Sequence, residues 1–192
     1  KSTIMTYKYA INHYLRNKLK KSDAIKKLSE FDKQGRYIFT MSDFAKIFFD
    51  DTNRSLRAGI SRLIDDGFLI RVANGIFIYA LARSKGSDTL ELIAKTIRRG
   101  EYNYVSLESA LSEYGIISQI PVGRLTIMTT GRSGEYKTPL GTIEFTHTKR
   151  DRLDILKNTM KTDRSLRFAT KNTALRDLKR VGRNTHLIAE EA

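Results

Sequence analysis

The stretch from residue 42 to residue 79 restricts the fold of this chain more than any other part of its sequence. Ser42 is a good N-cap for a short helix over Asp43–Phe49, and the polar residues that follow end that helix. A second helix comes next and is expected to end at Gly67, since glycine suits the left-handed position just after a helix. The pattern predicts two short helices joined by a turn.

A β-hairpin is predicted directly after these helices. The apolar segments Phe68–Val72 and Ile76–Tyr79 flank Asn74-Gly75, a pair of residues that favours a tight two-residue hairpin turn. Two helices followed by a hairpin are typical of a winged helix-turn-helix, in which the second helix is the recognition helix and the hairpin is the wing. Its usual partner is double-stranded DNA. Some proteins use the same architecture to bind other proteins, so the fold alone does not establish the function.

The predicted recognition helix has two chemically different sides. Leu56, Ile60, Leu63 and Ile64 recur at helical spacing and form an apolar side that is expected to pack inward. Side chains near the start of a recognition helix contact base edges, where arginine pairs with guanine and asparagine with adenine through two hydrogen bonds. The candidates for base contacts are Asn53, Arg54, Arg57 and Ser61.

Other basic and polar residues are candidates for contact with the DNA backbone. Arg71 and Asn74 belong to the wing and are expected to meet phosphate or a minor groove, which sets the register of binding without discriminating between sequences. Upstream, helices predicted over Tyr7–Leu19 and Ser22–Phe31 would cover the back of the motif, with a lysine cluster between them. An ordinary solvated helix surface explains that cluster equally well. The backbone candidates are Arg62, Arg71, Asn74, Lys18, Lys20 and Lys21.

The composition agrees with a polyanionic partner. The chain of 192 residues has 35 Lys and Arg against 21 Asp and Glu, which gives a net charge of +14. This charge does not distinguish DNA from RNA or from an anionic membrane surface. The absence of cysteine excludes disulfides and thiolate metal sites from this sequence. No apolar run approaches the ~18 residues that span a bilayer. We therefore expect a cytoplasmic protein with no membrane partner, no metal and no cofactor.

A second domain is predicted after a short linker. The small and polar residues 82–87 separate a DNA-binding domain over 1–81 from a C-terminal domain over 88–192. The expected fold class is α+β, a winged helix-turn-helix followed by a mixed domain of helices and strands. Within that domain, Ser106 is expected to cap a helix, and residues 131–134 are expected to form a hairpin turn. Helices are predicted over Thr89–Arg98, Tyr104–Leu111, Asp151–Met160 and Thr173–Arg180, and strands over Leu125–Thr130 and Thr142–Thr148.

Several segments of this second domain resemble one known family. They are YVSLESAL at 104–111, GIISQIP at 115–121, TIMTTGR at 126–132, GTIEFTH at 141–147 and ALRDL at 174–178. Together they resemble the AbiEi-type antitoxins of bacterial type IV toxin-antitoxin systems, which also begin with a winged helix-turn-helix. The chain departs from the expected pattern at 171–173, where Lys-Asn-Thr replaces a proline and a glutamate. The motif residues are Ser106, Leu107, Glu108, Ser109, Thr130 and Arg132.

The resemblance implies a protein with two activities. Its N-terminal domain would repress transcription of its own operon by binding inverted repeats in the promoter. Its C-terminal domain would counter a nucleotidyltransferase-like toxin as part of an abortive-infection defence against phage. The antitoxin of such a system is not itself an enzyme. Direct contact with the toxin, competition for the toxin's target and reversal of its modification all stay open.

Two other functions are alternatives to this one. An RNA-binding factor would use the basic C-terminal half, with tyrosines as stacking platforms for bases, although tyrosines at helix ends more often lie at the edge of a core. A metal-dependent nuclease would use carboxylates near His147 and Lys149, but their spacing is not that of a metal site, so no catalytic residue is predicted. The tyrosines are Tyr102, Tyr104 and Tyr114, and the carboxylates are Glu108, Glu144, Asp151 and Asp154.

Overall fold

The computed structural model of this chain describes residues 19–117, 122–182 and 184–188. The chain divides into two compact units, residues 1–85 and residues 86–192, and the boundary falls within the segment predicted as a linker. Each unit contains both helices and a β-sheet, so the predicted α+β class is confirmed. The helix predicted over Tyr7–Leu19, and with it Lys18, lies outside the described residues apart from Leu19 itself.

The N-terminal unit packs three helices against a small sheet. The helices are α1 (Lys21–Lys33), α2 (Met41–Ile47) and α3 (Asn53–Asp65), and the strands are β1 (Ile38–Thr40), β2 (Leu69–Ala73) and β3 (Ile76–Tyr79). The strands are antiparallel in the order β1-β3-β2. Gly75 adopts a φ of +68° in the turn between β2 and β3, a conformation that glycine adopts without the cost that a Cβ would bring.

The first of the two predicted helices begins earlier than expected. Its N-cap is Thr40 rather than Ser42, so that detail of the prediction was wrong. The Asp43 amide donates to the Thr40 hydroxyl at 3.1 Å, and the Thr40 amide donates to the Asp43 carboxylate at 2.8 Å. This reciprocal capping box satisfies two backbone donors at once, which Ser42 could not do because Ala45, three residues later, has no carboxylate.

The buried side of α3 differs from the prediction at one residue. Leu56, Ile60 and Leu63 are buried as expected, but the fourth buried position is Gly59, while Ile64 is only half-buried. A Cβ at Gly59 would lie 2.7 Å from Cδ2 of Leu19 and 2.8 Å from its Cβ. Glycine therefore lets the segment before α1 approach α3 more closely than any larger residue would.

Two carboxylates of this unit are held by hydrogen bonds that only the folded chain provides. The Asp32 carboxylate accepts from the Arg83 amide at 2.9 Å and from the Ser84 amide at 3.1 Å. Burial alone would raise the pKa of Asp32, but these bonds and one from the Ser84 hydroxyl outweigh it and lower the pKa. Burial likewise opposes the lowering of the Asp43 pKa, which the bonds from Thr40 and the nearby Arg36 guanidinium bring about.

We expect the N-terminal unit to lose stability in acid through these two groups. Since each pKa is lower in the folded state than in the unfolded chain, each carboxylate stabilises the fold above its ordinary pKa, and this stabilisation disappears as the pH falls through the lowered value. Asp43→Asn should be less stable than wild type at neutral pH and should lose less stability in acid. Hydrogen exchange of the α2 amides between pH 7 and pH 3 measures this. The exposed Asp50→Asn is the control, and equal pH profiles for Asp43→Asn and wild type would contradict the prediction.

The C-terminal unit is built on one mixed sheet. The helices are α4 (Thr89–Ile97), α5 (Leu107–Glu113), α6 (Arg152–Asn158) and α7 (Lys171–Val181), and the strands are β4 (Asn103–Val105), β5 (Arg124–Thr129), β6 (Gly134–Thr138), β7 (Gly141–His147), β8 (Thr159–Met160) and β9 (Arg167–Ala169). The strand order is β6-β7-β5-β4-β9-β8, with parallel pairing of β5 to β7 and of β4 to β9. A 3-10 turn over Thr185–Leu187 follows α7.

Two predictions about this unit were only partly right. The helix predicted at 104–111 begins at Leu107, directly after the expected cap position Ser106, while Tyr104 and Val105 belong to an inner strand of the sheet. Residues 131–134 do not join the two predicted strands in a hairpin, because β5 and β7 are parallel and β6 lies between them in the chain. Strand β6 carries Glu135 and Lys137 and has little apolar character, so its sequence gives a weak strand signal.

Candidate nucleic-acid interface and a buried polar cluster

The beginning of α3 is held by side chains of the preceding turn. The Ser55 amide donates to the Thr52 hydroxyl at 3.2 Å, and the Ser55 hydroxyl donates to the Asp51 carboxylate at 2.9 Å. The capping hydroxyl stabilises the first turn, in which Asn53 and Arg54 lie. Contacts within the protein thus hold the first turn of α3 in place.

The four candidates for base contacts all lie on the exposed part of α3. Asn53, Arg54, Arg57 and Ser61 are each exposed, whereas the helix buries its opposite side in the core. Arg54 and Arg57 make no hydrogen bond or ion pair with any residue that the structure describes. Two guanidinium groups that have no partner in the described part of the chain therefore project from the first half of this helix.

The hairpin holds its own arginine in place. Nη2 of Arg71 donates to Oδ1 of Asn74 at 3.0 Å, and both residues are exposed. The register of the β2–β3 pair shifts between Arg71 and Ala73, next to the turn. The side-chain oxygen of Asn74 thus restricts the rotamers of a guanidinium near the tip of the hairpin, and no other residue that the structure describes binds this guanidinium.

The remaining basic candidates differ in how available they are. Lys20 is exposed, but Nζ of Lys21 lies 2.9 Å from a carboxylate oxygen of Asp66 and 4.8 Å from the ring centre of Phe68. Nη2 of Arg62 lies 3.5 Å from the carbonyl oxygen of residue 19, a long hydrogen bond that leaves the side chain exposed. Lys21 already has an anionic partner in Asp66, so Lys20 and Arg62 are more available for contact with phosphate.

The C-terminal unit contains a cluster of polar side chains in its core. The carboxylate of Asp177 is fully buried and accepts hydrogen bonds from Tyr104 Oη at 3.0 Å and Ser106 Oγ at 2.9 Å. Its other oxygen accepts from Nη2 of Arg150 at 2.8 Å, and Arg150 also contacts the Asp154 carboxylate at 3.3 Å. The cluster links strand β4 to helices α6 and α7.

Burial dominates the electrostatics of this cluster. It raises the pKa of Asp177, and the donors Ser106, Arg150 and Tyr104 offset only part of that effect. Burial also raises the pKa of Tyr104, with a further contribution from the neighbouring carboxylate. The phenol therefore stays a neutral donor at physiological pH. Among described residues, no buried side-chain nitrogen or oxygen lacks a partner.

Ser106 does not cap α5 with its side chain as predicted. It occupies the N-cap position, but its hydroxyl donates to Asp177 instead. The Thr126 hydroxyl of β5 replaces it and accepts from the Ser109 amide at 3.0 Å, while the Thr126 amide donates to Ser109 Oγ at 2.9 Å. Leu107, which follows Ser106 and begins α5, has a φ of +55°, which is rare for a non-glycine residue. The surrounding bonds stabilise this unusual strand-to-helix turn.

The other motif residues also make contacts within the unit. Glu108 is buried, and its carboxylate accepts a hydrogen bond from the side-chain Nδ2 of Asn184 at 2.8 Å. The Thr130 hydroxyl donates to the Glu101 carboxylate at 2.6 Å, and the exposed Arg132 offers its backbone carbonyl to Arg98 at 2.9 Å. The motif therefore consists mainly of residues that build this unit rather than of an exposed contact surface.

The groups proposed for the alternative functions do not converge. Glu144 forms an ion pair with Arg124 at 2.7 Å, and no three potential metal ligands of the His, Cys, Asp or Glu types come together within the described residues. Tyr104 is fully buried, and Tyr114 donates to the carbonyl of Ala169 at 2.9 Å. Tyr104 therefore cannot stack on RNA bases in this fold.

The sequence contains one signal for this cluster. Thr173, Ala174, Asp177 and Leu178 share the buried side of α7, which places an acid on the apolar side of an amphipathic helix. A buried acid requires a partner. Its partners come from residues 27, 71 and 73 positions earlier in the chain, so the sequence pattern alone could not identify them.

Comparison with solved structures finds a distant similarity. No protein-family model matches the chain, and no curated protein sequence matches it. The crystal structure of the RV2827C protein from Mycobacterium tuberculosis is similar at 15% sequence identity with a TM-score of 0.46. The similarity covers 66% of this chain and 45% of that protein, so the chain spans less than half of that protein's length. No helix in the described part of the chain is long and apolar enough to cross a membrane.

Proposed function

We propose that the N-terminal unit is a winged helix-turn-helix that binds double-stranded DNA, with α3 in the major groove and the β2–β3 hairpin as the wing. The observation that carries this proposal is the exposed side of α3, where Arg54 and Arg57 have no partner among described residues. Arginine donors that are not engaged within the protein are available to guanine. Arg71, held by Asn74, supports the assignment of the hairpin as a wing.

The same proposal assigns the whole chain to the AbiEi-type antitoxins. In this proposal the protein works in the cytoplasm, is not an enzyme, represses its own operon through inverted repeats in the promoter, and counters a nucleotidyltransferase-like toxin with its C-terminal unit. The support is the resemblance of segments at 104–132 and 141–147. Since Ser106 and Glu108 are buried, the surface that opposes the toxin consists of other residues.

DNA binding is tested by titrating the full chain against its own upstream DNA and a scrambled duplex of equal length over a salt series. We expect affinity for both to fall steeply with salt, because phosphate contacts release counterions. A preference for the upstream DNA should persist near physiological salt. Equal binding to both duplexes at every salt concentration would refute the sequence-specific repressor and favour RNA as the partner.

The antitoxin activity is tested by co-expression with the product of the neighbouring gene. Wild-type protein should restore growth if that product is the toxin. A variant with both Arg54→Ala and Arg57→Ala should also restore growth while losing preference for the operator, since these residues belong to the other unit. Failure of both proteins to restore growth, with normal expression and folding, would reject the antitoxin assignment and leave the DNA-binding proposal intact.

A further inference from the structure

Strand β6 forms one edge of the six-stranded sheet. It pairs with β7 over five residues, and no other strand of the described residues pairs with its outer side. An edge strand presents unpaired backbone N–H and C=O groups to which a further strand can bind.

The hydrogen bonds of β7 show which residues of β6 direct their backbone groups outward. Thr142 N donates at 2.8 Å to the carbonyl of Gly123, which immediately precedes β5. The backbone groups of Thr142 therefore face β5, and those of its neighbour Ile143 face the other way, toward β6. Ile143 lies opposite Tyr136, so the backbone groups of Tyr136 face β7.

The alternation along β6 then places two residues on the open edge. Glu135 and Lys137 flank Tyr136, so their N–H and C=O groups face away from β7. The side chains of Glu135 and Lys137 are also exposed. The two residues that can accept another strand therefore carry opposite charges and are two positions apart.

We propose that β6 pairs with β6 of a second copy of this chain, antiparallel about a two-fold axis through Tyr136. In this arrangement Glu135 of each copy lies opposite Lys137 of the other. Each of these two pairs exchanges two backbone hydrogen bonds, and each brings a carboxylate next to an ammonium group. Lys137 forms no ion pair within the described residues, while Glu135 lies 3.0 Å from Arg124.

The charges also select this register over its neighbours. Sliding one strand by two residues places Glu135 opposite Glu135 of the second copy, or Lys137 opposite Lys137, depending on the direction. Like charges directly opposite each other destabilise a strand pair. The charges on β6 thus disfavour pairing with strands that lack complementary charges, as they do on many sheet edges, and they match each other in the proposed register.

Sedimentation velocity of the full chain without DNA, over a concentration series, tests the dimer independently of DNA binding. Wild type should show a reversible monomer–dimer equilibrium. Glu135→Lys and Lys137→Glu should each weaken the dimer by about tenfold or more, because each turns two attractive pairs into two repulsive ones. An equimolar mixture of the two variants should dimerise again, since one variant carries only bases at these positions and the other only acids.

Two further variants separate pairing from charge and folding effects. Lys95→Glu on α4 changes the net charge as Lys137→Glu does, at an exposed position of another element, and should leave the dimer unchanged. Lys137→Pro removes an N–H that faces away from β7, so it should abolish the dimer while the circular dichroism spectrum stays that of wild type. A monomer at every concentration of wild type, or a dimer that none of the β6 variants weakens, would overturn the proposal.

Discussion

Replacing Arg57 with alanine is expected to weaken binding to the operator by about 1 to 3 kcal/mol while changing the affinity for a scrambled duplex much less. Arg54→Ala should have a similar effect. Both guanidinium groups project from the first half of α3 and have no partner among described residues, so their donors are available to a base. Losing a two-bond contact to guanine removes discrimination as well as affinity. Fluorescence anisotropy titrations of full-length protein on both duplexes at one fixed salt concentration measure the difference.

Lys20→Ala provides the comparison for these two variants. Lys20 is exposed and is a candidate for phosphate contact, so its loss should weaken binding to all sequences alike and reduce the salt dependence. Lys95→Ala in the other unit controls for net charge alone and should have little effect. If Arg54→Ala, Arg57→Ala and Lys20→Ala all weaken operator and scrambled DNA equally, α3 does not contact bases through these arginines.

The parts of the N-terminal unit that were predictable depend on local chemistry. The Asn74-Gly75 turn and the amphipathic spacing of Leu56, Ile60 and Leu63 are determined by neighbouring residues, and both elements are present where they were predicted. The start of α2 was misplaced because Thr40 and Ser42 are both good caps.

The availability of the candidate site was harder to predict. The exposed side of α3 follows from the spacing of its apolar residues. By contrast, the ion pair between Lys21 and Asp66 joins residues 45 positions apart and depends on how α1 packs beside the end of α3. The sequence could show which residues are basic, but not which of them already have a partner.

The C-terminal unit was predicted less completely because its sheet is assembled from distant segments. Strands β4, β8 and β9 have only two or three residues each, too few to show a period of two. Their pairing partners are in some cases more than 60 residues away, as for Tyr104 and Arg167. The buried cluster around Asp177 has the same origin, since it exists only after β4, α6 and α7 have packed together.

Replacing Asp177 with alanine is expected to destabilise the C-terminal unit by about 3 to 5 kcal/mol, the usual cost of removing one partner from a buried ion pair. The substitution leaves the guanidinium of Arg150, whose side chain is only 11% exposed, without its buried partner. It also leaves the hydroxyls of Tyr104 and Ser106 without their acceptor, in a place that water does not reach. Hydrogen exchange of the α7 amides measures this loss directly.

Asp154→Ala is the matched control because Asp154 binds the same arginine from a more exposed position. Its side chain is 37% exposed and lies 3.3 Å from Arg150, so its loss should cost less than about 1 kcal/mol. DNA binding should survive in both variants if the N-terminal unit stays folded when the other unit is weakened. Equal destabilisation by the two substitutions would mean that burial does not set the strength of this cluster. The hydrogen bonds from Ser106 and Tyr104 to Asp177 would then contribute little to the stability of the C-terminal unit.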